Sequence, residues 1–201
     1  WDSKIGNVRL KELQYGASIP IHKRRLQVEW YGAGALFTGE EKGGAKTNAF
    51  RHVYTHAGLT SNKFLLHSTG WGAAHEKTSA YYKTKSLIKN DFPFSPGWSF
   101  RTLLPESETE ADYIDGIVDN LNNELGRAQG RLRPTKNHKV LALDVIHSYY
   151  QYGFFESRRD GDYFIIERVK LNESEYLQYS RNIINTPKMK WNDYIKKILS
   201  K

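Results

Sequence analysis

Residues 109–129 alternate apolar and polar side chains with the period of an amphipathic α-helix. On a helical wheel the apolar side chains share one arc, which predicts that this arc packs against the protein core. The opposite arc is rich in Asn, Asp and Gly, which have low helix propensity, so this composition favours a purpose other than helix stability. The apolar arc holds Ile114, Ile117, Val118, Leu121 and Leu125, and the polar arc holds Asp115, Asp119, Asn122, Asn123 and Gly126, with Arg127 just beyond. A stripe that only faces water is the alternative interpretation.

A second helix is predicted over residues 47–59, where Thr47 is suited to cap the amino terminus. Its apolar and polar positions divide in the same way as those of the first helix. The apolar arc holds Ala49, Phe50, Val53, Tyr54 and Ala57, and the remaining arc holds Asn48, Arg51, His52, Thr55 and His56. Together with the helix predicted at 72–88, which carries His75 and Glu76, these helices are predicted to converge so that their polar stripes line one cleft.

The rest of the chain predicts further helices and a small amount of β-structure. Arg159 to Asp162 lies between two alternating apolar runs in residues 153–171, which is typical of a β-hairpin. A strand is predicted at residues 27–31, an ordered aromatic loop at 90–106, and a helix beginning near 61 or 62, with further helices at 72–88, 140–150, 174–184 and 188–199. The expected fold is mainly α, a single compact domain over residues 1–201 with a minor β component of short N-terminal strands and a C-terminal hairpin. Its motif-bearing helical core spans about 45–130, followed by a basic hairpin and helices at about 139–201.

Composition excludes several classes of protein. The chain has no cysteine, which excludes a disulfide scaffold, thiolate zinc sites, iron–sulfur clusters and a cysteine nucleophile. Its mean hydropathy is −0.67, and no apolar run approaches the twenty residues of a membrane-spanning helix. We therefore expect a folded domain without a transmembrane span.

The chain carries a net charge of +8, which favours anionic partners, but this charge is unevenly distributed. Residues 1–100 hold 14 Lys and Arg against 7 Asp and Glu, whereas residues 101–127 hold 2 against 7. Residues 128–201 hold 14 against 8. The most motif-like helix thus lies in an acidic block between two basic ones, which predicts chemistry within a basic surround.

Histidines and acidic residues supply candidates for this chemistry. His52 and His56 are four residues apart on one helix, a spacing that brings two imidazoles to one metal ion or one phosphate. The alternative is purely structural, with one exposed histidine and one bonded to a carbonyl. His75 and Glu76 are suited to act as a general acid or base with an orienting carboxylate.

Familiar catalytic motifs are missing from the sequence. Ser79 stands where a second histidine would complete H-E-x-x-H, and there is no G-x-S-x-G, Walker loop or dinucleotide fingerprint. His67 belongs with His75 and Glu76, and the remaining histidines at positions 22, 138 and 147 lie near no comparable cluster and are interpreted as structural.

Three elements in order resemble an uncharacterised bacterial domain family. They are N-A-F-R-H at residues 48–52, A-H-E at 74–76, and D-x-x-N-N-x-x-G-R at 119–127, and the resemblance covers about residues 45–130. In that family the domain often ends long secreted or polymorphic-toxin-like proteins, or stands as a small secreted protein. The resemblance implies a secreted or cell-delivered effector and admits an immunity protein as a partner, but it implies no particular reaction.

The polar stripes and the resemblance together predict a hydrolase of an anionic substrate, such as a cell-envelope precursor or a phosphate ester. The expected catalytic residues are His52, His75, Glu76, Asp119, Asn123 and Arg127, and the expected substrate-binding residues are Asn48, Arg51, His56, Asp115 and Asn122. The attacking water would be activated either by a histidine or by a metal ion held by His and Asp. A divalent metal is therefore one option, and no cofactor is assigned.

Two other interpretations remain open. Aromatic and basic residues alternate at Tyr81–Lys83, at Trp98 and Arg101, and around Trp191, which is also typical of a module that binds nucleic acid or an anionic membrane. A nuclease would combine that surface with the histidine chemistry. In the third interpretation the polar stripes form a buried hydrogen-bond network that serves structure alone.

Overall fold

The computed structural model describes residues 45–61, 78–90, 94–95, 97–135 and 137–187. Within them the protein is mainly α with a minor β component, as the sequence predicted. The helices are α1 (Ala45–Ser61), α2 (Thr78–Asn90), α3 (Glu110–Leu132), α4 (His138–Tyr152) and α5 (Glu173–Asn185), and the strands are β1 (Ser99–Leu103), β2 (Phe154–Asp160) and β3 (Tyr163–Val169). The predicted strand at 27–31, the helix near 62 and the helix at 188–199 lie outside the described residues.

The prediction that Thr47 caps α1 was wrong, because α1 begins at Ala45 and Thr47 is a buried residue within its first turn. Short polar side chains do cap other helices. The Thr109 hydroxyl accepts a hydrogen bond from the backbone N–H of Asp112 and so caps α3. Asn172 and Glu175 form a reciprocal capping box at the start of α5. Such caps satisfy backbone donors that have no partner inside the helix, and they fix the helix starts to within about one turn of their predicted positions.

The three strands form an antiparallel sheet in the order β1-β3-β2. Strands β2 and β3 are the predicted hairpin, and its turn places Gly161 at a φ of 63°, a conformation that glycine adopts without strain. The interpretation of residues 90–106 as a loop was wrong for β1, which pairs with β3 from Ser99 opposite Glu167 to Leu103 opposite Tyr163. Its strand signal was masked by the prolines and glycine that precede it.

Helix α3 packs against two separate hydrophobic clusters. One cluster joins α1, α4 and α5 and includes Phe50, Tyr54, Val145, Tyr149 and Ile183. The other joins α2, α3 and the sheet and includes Leu87, Ile117, Leu121, Phe155 and Ile166. Leu125 on α3 contacts both clusters, so α3 is the element around which the described part of the fold is organised. None of the helices described here is long and apolar enough to cross a membrane.

Candidate functional site

Helices α1 and α3 run side by side in the same direction. Side chains meet in three successive pairs, Asn48 with Asp119, His52 with Asn123 and His56 with Arg127, and each pair is 71 residues apart in sequence. Because an α-helix rises about 1.5 Å per residue, pairs four residues apart are spaced about 6 Å along both axes. The polar stripes of α1 and α3 therefore meet along this contact, whereas the His75–Glu76 segment of the predicted cleft lies outside the described residues.

Two glycines on α3 allow the helices to approach until their backbones touch. A Cβ at Gly126 would lie 2.4 Å from the Val53 carbonyl oxygen, and one at Gly130 would lie 2.3 Å from the Ala57 carbonyl oxygen. Both distances are shorter than any van der Waals contact allows. The space left by Gly126 on the polar arc is thus filled by α1. The G-x-x-x-G spacing that includes Gly130 was a signal the sequence analysis missed.

The amino-terminal half of this contact holds an imidazole and a carboxylate together. His52 Nε2 lies 3.1 Å from Asp119 Oδ2, and Asn48 donates its side-chain N–H to Asp119 Oδ1 at 2.8 Å. His52 Nδ1 lies 2.8 Å from the side-chain oxygen of Asn123. The side chains of His52 and Asp119 are 22% and 14% exposed, so solvent reaches both.

Hydrogen-bond chemistry limits how His52 and Asn123 are arranged. Asn123 is buried, and its side-chain N–H₂ has no partner among the described residues. With the Asn123 oxygen towards Nδ1, His52 donates from both nitrogens, which requires an imidazolium. Turning the Asn123 amide by 180° instead lets it donate to Nδ1 of a neutral His52, whose Nε2–H still donates to Asp119. In both arrangements the Asp119 carboxylate accepts two hydrogen bonds.

Asp115 extends this acidic stripe one helical turn towards the amino terminus of α3. Although the residue is exposed, partial desolvation raises the pKa of its carboxyl group, and the negative charges of Asp119 and Glu110 raise it further. Asp119, by contrast, receives hydrogen bonds from His52 and Asn48. The two neighbouring carboxyl groups thus have different surroundings.

The carboxy-terminal half of the contact is closed in that it buries His56 and Arg127, while Glu124 at its edge is partly exposed. The Arg127 guanidinium donates from Nε to Glu124 at 3.1 Å, pairs through Nη2 with the same carboxylate at 2.7 Å, and lies 3.3 Å from His56 Nδ1 through Nη1. Since a guanidinium only donates, His56 accepts with Nδ1. His52 and His56 therefore contact different partners, and the i,i+4 pair does not converge on one ligand.

Asn122 has an internal role that the wheel did not indicate. It is fully buried, its side-chain N–H₂ donates to the Phe155 carbonyl at 2.9 Å, and its side-chain oxygen accepts from the Phe155 N–H at 3.0 Å. The N–H₂ and the oxygen of this side chain, which were predicted to bind a substrate, are thus both hydrogen-bonded to the start of β2. Asn122 thus ties α3 to the sheet.

The predicted site residues therefore separate into groups. Asn48, His52, Asp119 and Asn123 come together, and Asp115 lies one turn away. Arg51 is half-buried on α1 beside His52, while His56 and Arg127 lie in the closed half. His75 and Glu76 lie outside the described residues. Glu124, the partner of Arg127, was missed, although its i,i+3 spacing from Arg127 was a usable signal.

Comparisons with family models, with curated proteins and with solved structures gave no match for this chain. The chemistry of the site therefore rests on its own geometry. Across the described ranges, no group of three or more His, Asp or Glu side chains is arranged to hold a metal ion. What remains is a solvent-accessible acid–base cluster on α1 and α3.

Proposed function

We propose that this protein is a hydrolase of anionic substrates whose acid–base groups are Asp119, held by His52 and Asn48, and Asp115. The observation that carries the proposal is the contact of His52 Nε2 with Asp119 Oδ2 at 3.1 Å, with Asn48 on the other carboxylate oxygen. Hydrogen bonds on both oxygens fix the orientation of this carboxylate. Asp119 is then a positioned base at a surface that a substrate reaches.

The reaction follows from the different surroundings of the two carboxyl groups. Asp119 takes a proton from a water molecule, whose oxygen forms a bond to the phosphorus or acyl carbon of the substrate. The bond to the leaving group breaks, and Asp115 donates its proton to that group. His52 orients Asp119, because both of its ring nitrogens are engaged within the cluster. The raised pKa of Asp115 suits it to the role of the acid.

The basic regions on either side of the acidic block support an anionic substrate, since they raise the local concentration of anions. The family that residues 45–130 resemble supports a biological setting, that of an effector secreted or delivered into a target cell. In that setting the substrate is a phosphate ester or a cell-envelope precursor, and the producing cell would need a protective partner.

The test is expression of the chain in bacteria, directed either to the cytoplasm or to the periplasm. We expect growth inhibition with the wild-type chain and its loss with His52→Gln and Asp119→Asn. Matched controls are His147→Gln and Asp144→Asn on α4, which change the same side-chain types away from the cluster. Killing confined to the periplasm indicates an envelope substrate, and killing in the cytoplasm indicates a nucleic acid or nucleotide.

Purified protein gives the second readout. We expect hydrolysis of a chromogenic phosphodiester, and a decrease of about 10²–10⁴-fold in its rate with Asp119→Asn, the range typical for loss of acid–base catalysis. Circular dichroism and thermal unfolding show whether the variants remain folded. Folded Asp119→Asn protein with the full toxicity and hydrolytic rate of the wild type would refute the proposal.

A second candidate function, binding of nucleic acid, is favoured by cationic groups that lie over aromatic rings near α2 and β1. Lys83 Nζ lies 4.7 Å from the Phe100 ring centre, and the guanidinium carbon of Arg101 lies 3.9 Å from the Tyr163 ring centre. Anisotropy of a labelled single-stranded oligonucleotide tests this function. Binding that weakens with salt and with Lys83→Ala, but not with Asp119→Asn, would support it.

A further inference from the structure

A cavity of about 260 Å³ lies where the carboxy-terminal end of α3 meets α4 and the sheet. It is lined by Leu125, Gln129, Leu132, Arg133, Ser148, Tyr152, Phe154 and Arg168. Gln129 lies ten residues after Asp119, about 15 Å further along α3, so the cavity is separate from the acid–base cluster. Its volume is somewhat below the range typical of pockets for drug-sized molecules, which limits it to a small ligand.

Arg168 on β3 contributes a cation without an opposing charge. Its guanidinium donates from Nε and Nη2 to the Gly153 carbonyl at 3.2 and 3.1 Å, and from Nη1 to the Phe94 carbonyl at 3.3 Å. No Asp or Glu in the described ranges forms an ion pair with it. Burial lowers the pKa of this arginine, which reflects the cost of holding its charge away from water.

Gln129 contributes a second donor that lacks a partner. Its side-chain N–H₂ is buried and has no hydrogen-bond acceptor among the residues that the structure describes. A buried donor without an acceptor costs about 1–3 kcal/mol, so a ligand that supplies an acceptor gains that free energy. Ser148 adds a hydroxyl to the same lining, and the exposed Arg133 lies nearby with Asp144 3.8 Å from its Nη1.

The remaining lining is apolar. Leu125 and Phe154 belong to the core beneath the cavity, whereas Leu132 and Tyr152 are 82% and 61% exposed. Exposing large apolar side chains to water is unfavourable in free energy, so a ligand that covers them is stabilised. The cavity therefore combines apolar walls with a positive charge and an N–H₂ group that have no carboxylate and no acceptor, respectively, among the described residues.

We propose that this cavity binds a small organic anion whose carboxylate or phosphate contacts Arg168 and Gln129 and whose short apolar group contacts Leu132, Tyr152 and Phe154. Arginine presents paired N–H donors that match the oxygens of both kinds of head group. A chain or ring of about six carbons fills the apolar part. The cavity is then a ligand site independent of the proposed hydrolysis.

Isothermal titration calorimetry of the whole chain with four probes tests the proposal. Hexanoate and hexyl phosphate carry both the charge and the apolar group, whereas hexanol lacks the charge and acetate lacks the chain. We expect hexanoate or hexyl phosphate, or both, to bind at least ten-fold more tightly than hexanol and acetate, and the tighter of the two identifies the head group. Absence of binding by both charged probes, or equal binding of hexanol, overturns the proposal.

Variants place the binding in this cavity. Gln129→Leu removes the free donor with little change in shape, and Arg168→Lys keeps a positive charge but loses the paired donors. We expect each to weaken binding of the charged probe at least five-fold. The controls are Gln178→Leu on α5 and Arg158→Lys on β2, which lie outside the lining and should leave binding unchanged. If Arg168→Lys fails to fold, Gln129→Leu decides, and equal binding by folded Gln129→Leu and wild-type protein overturns the assignment.

Discussion

In its amino-terminal half the contact between α1 and α3 joins Asn48 and His52 to Asp119, and in its carboxy-terminal half it joins His56 to Arg127. Both halves use the same helix register, with partners 71 residues apart. They differ in access to water, since His52 and Asp119 are partly exposed, whereas His56 and Arg127 are buried. One geometry thus produces an open polar cluster and a closed one.

The difference shows how the same kind of polar pair serves two purposes. In the closed half, backbone contact at Gly126 and Gly130 excludes water, so every polar group there needs a protein partner. In the open half, Asp119 keeps its two partners and still faces solvent beside Asp115. We therefore expect substitutions in the closed half to change stability, and substitutions in the open half to change activity.

The largest effect is expected from Gly126→Ala and Gly130→Ala. An unobstructed glycine in a helix gains about 1 kcal/mol of stability when replaced by alanine. Here the new methyl group would collide with the carbonyl of Val53 or Ala57, so we expect a loss of about 2–4 kcal/mol in the free energy of unfolding. Urea unfolding measures both variants, and a gain in stability would show that the helices are less tightly packed.

The second-largest loss of stability is expected from Arg127→Met. Methionine keeps most of the side-chain volume but removes the cation that neutralises Glu124 and donates to His56. Because Glu124 retains partial access to water, we expect a loss of about 1–3 kcal/mol rather than the larger penalty of a fully buried charge. Arg131→Met, an exposed position on the same helix, is the control and should change the unfolding free energy by less than about 0.5 kcal/mol.

Asp119→Asn should affect stability much less. The amide keeps an oxygen to accept from Asn48, and its N–H₂ donates to His52 Nε2 once a neutral His52 carries its proton on Nδ1 and donates to Asn123. The substitution then loses the charge of the pair but leaves its polar groups partnered. For a partly exposed ion pair we expect a loss of no more than about 1 kcal/mol, together with the loss of activity predicted above. A loss of several kcal/mol without a change in toxicity would instead assign the open half to structure, as in the closed half.

The smallest effect concerns pH and Asp115. The pKa of its carboxyl group is raised in the folded protein, so the folded chain binds this proton more tightly than the unfolded chain does. Stability therefore falls as pH rises from the ordinary pKa of aspartate through the raised value, and stays level above it. In Asp115→Asn this contribution is absent. Urea unfolding of both proteins between pH 3.5 and 7 should show the two stabilities diverging over that interval.

Periodicity predicted the existence of α1 and α3 because apolar positions at i, i+3 and i+4 persist over several turns of each helix. It also predicted that Asn48, His52 and Asp119 share one region, since they lie on the polar arcs of two adjacent helices. The hairpin was predictable because Asp160 and Gly161 supply a turn that few other residues adopt. All of these signals are local in sequence.

The parts that could not be predicted depend on how separate elements meet. The wheel treated the polar arc of α3 as one accessible surface, but α1 covers it from Asn123 onward because the two glycines admit its backbone. For the same reason Asn122 was predicted to bind substrate. In the structure its side-chain N–H₂ and oxygen are both hydrogen-bonded to the backbone at the start of β2. The contact of α1 with the two glycines and the contact of Asn122 with β2 cannot be predicted from the sequence of α3 alone, since each partner lies tens of residues away.

The constant offset of 71 residues also determines when the chain is able to fold. Closing a loop of that length costs about 4 kcal/mol of chain entropy before the first contact between α1 and α3 forms. At about 5–20 residues per second, a ribosome needs roughly 4–14 s to make the partner of a residue in α1. For that interval His52 and His56 lack their partners on α3. The apolar side chains of α1, Phe50 and Tyr54 among them, remain uncovered for longer, because α4 and α5 follow α3 in the chain.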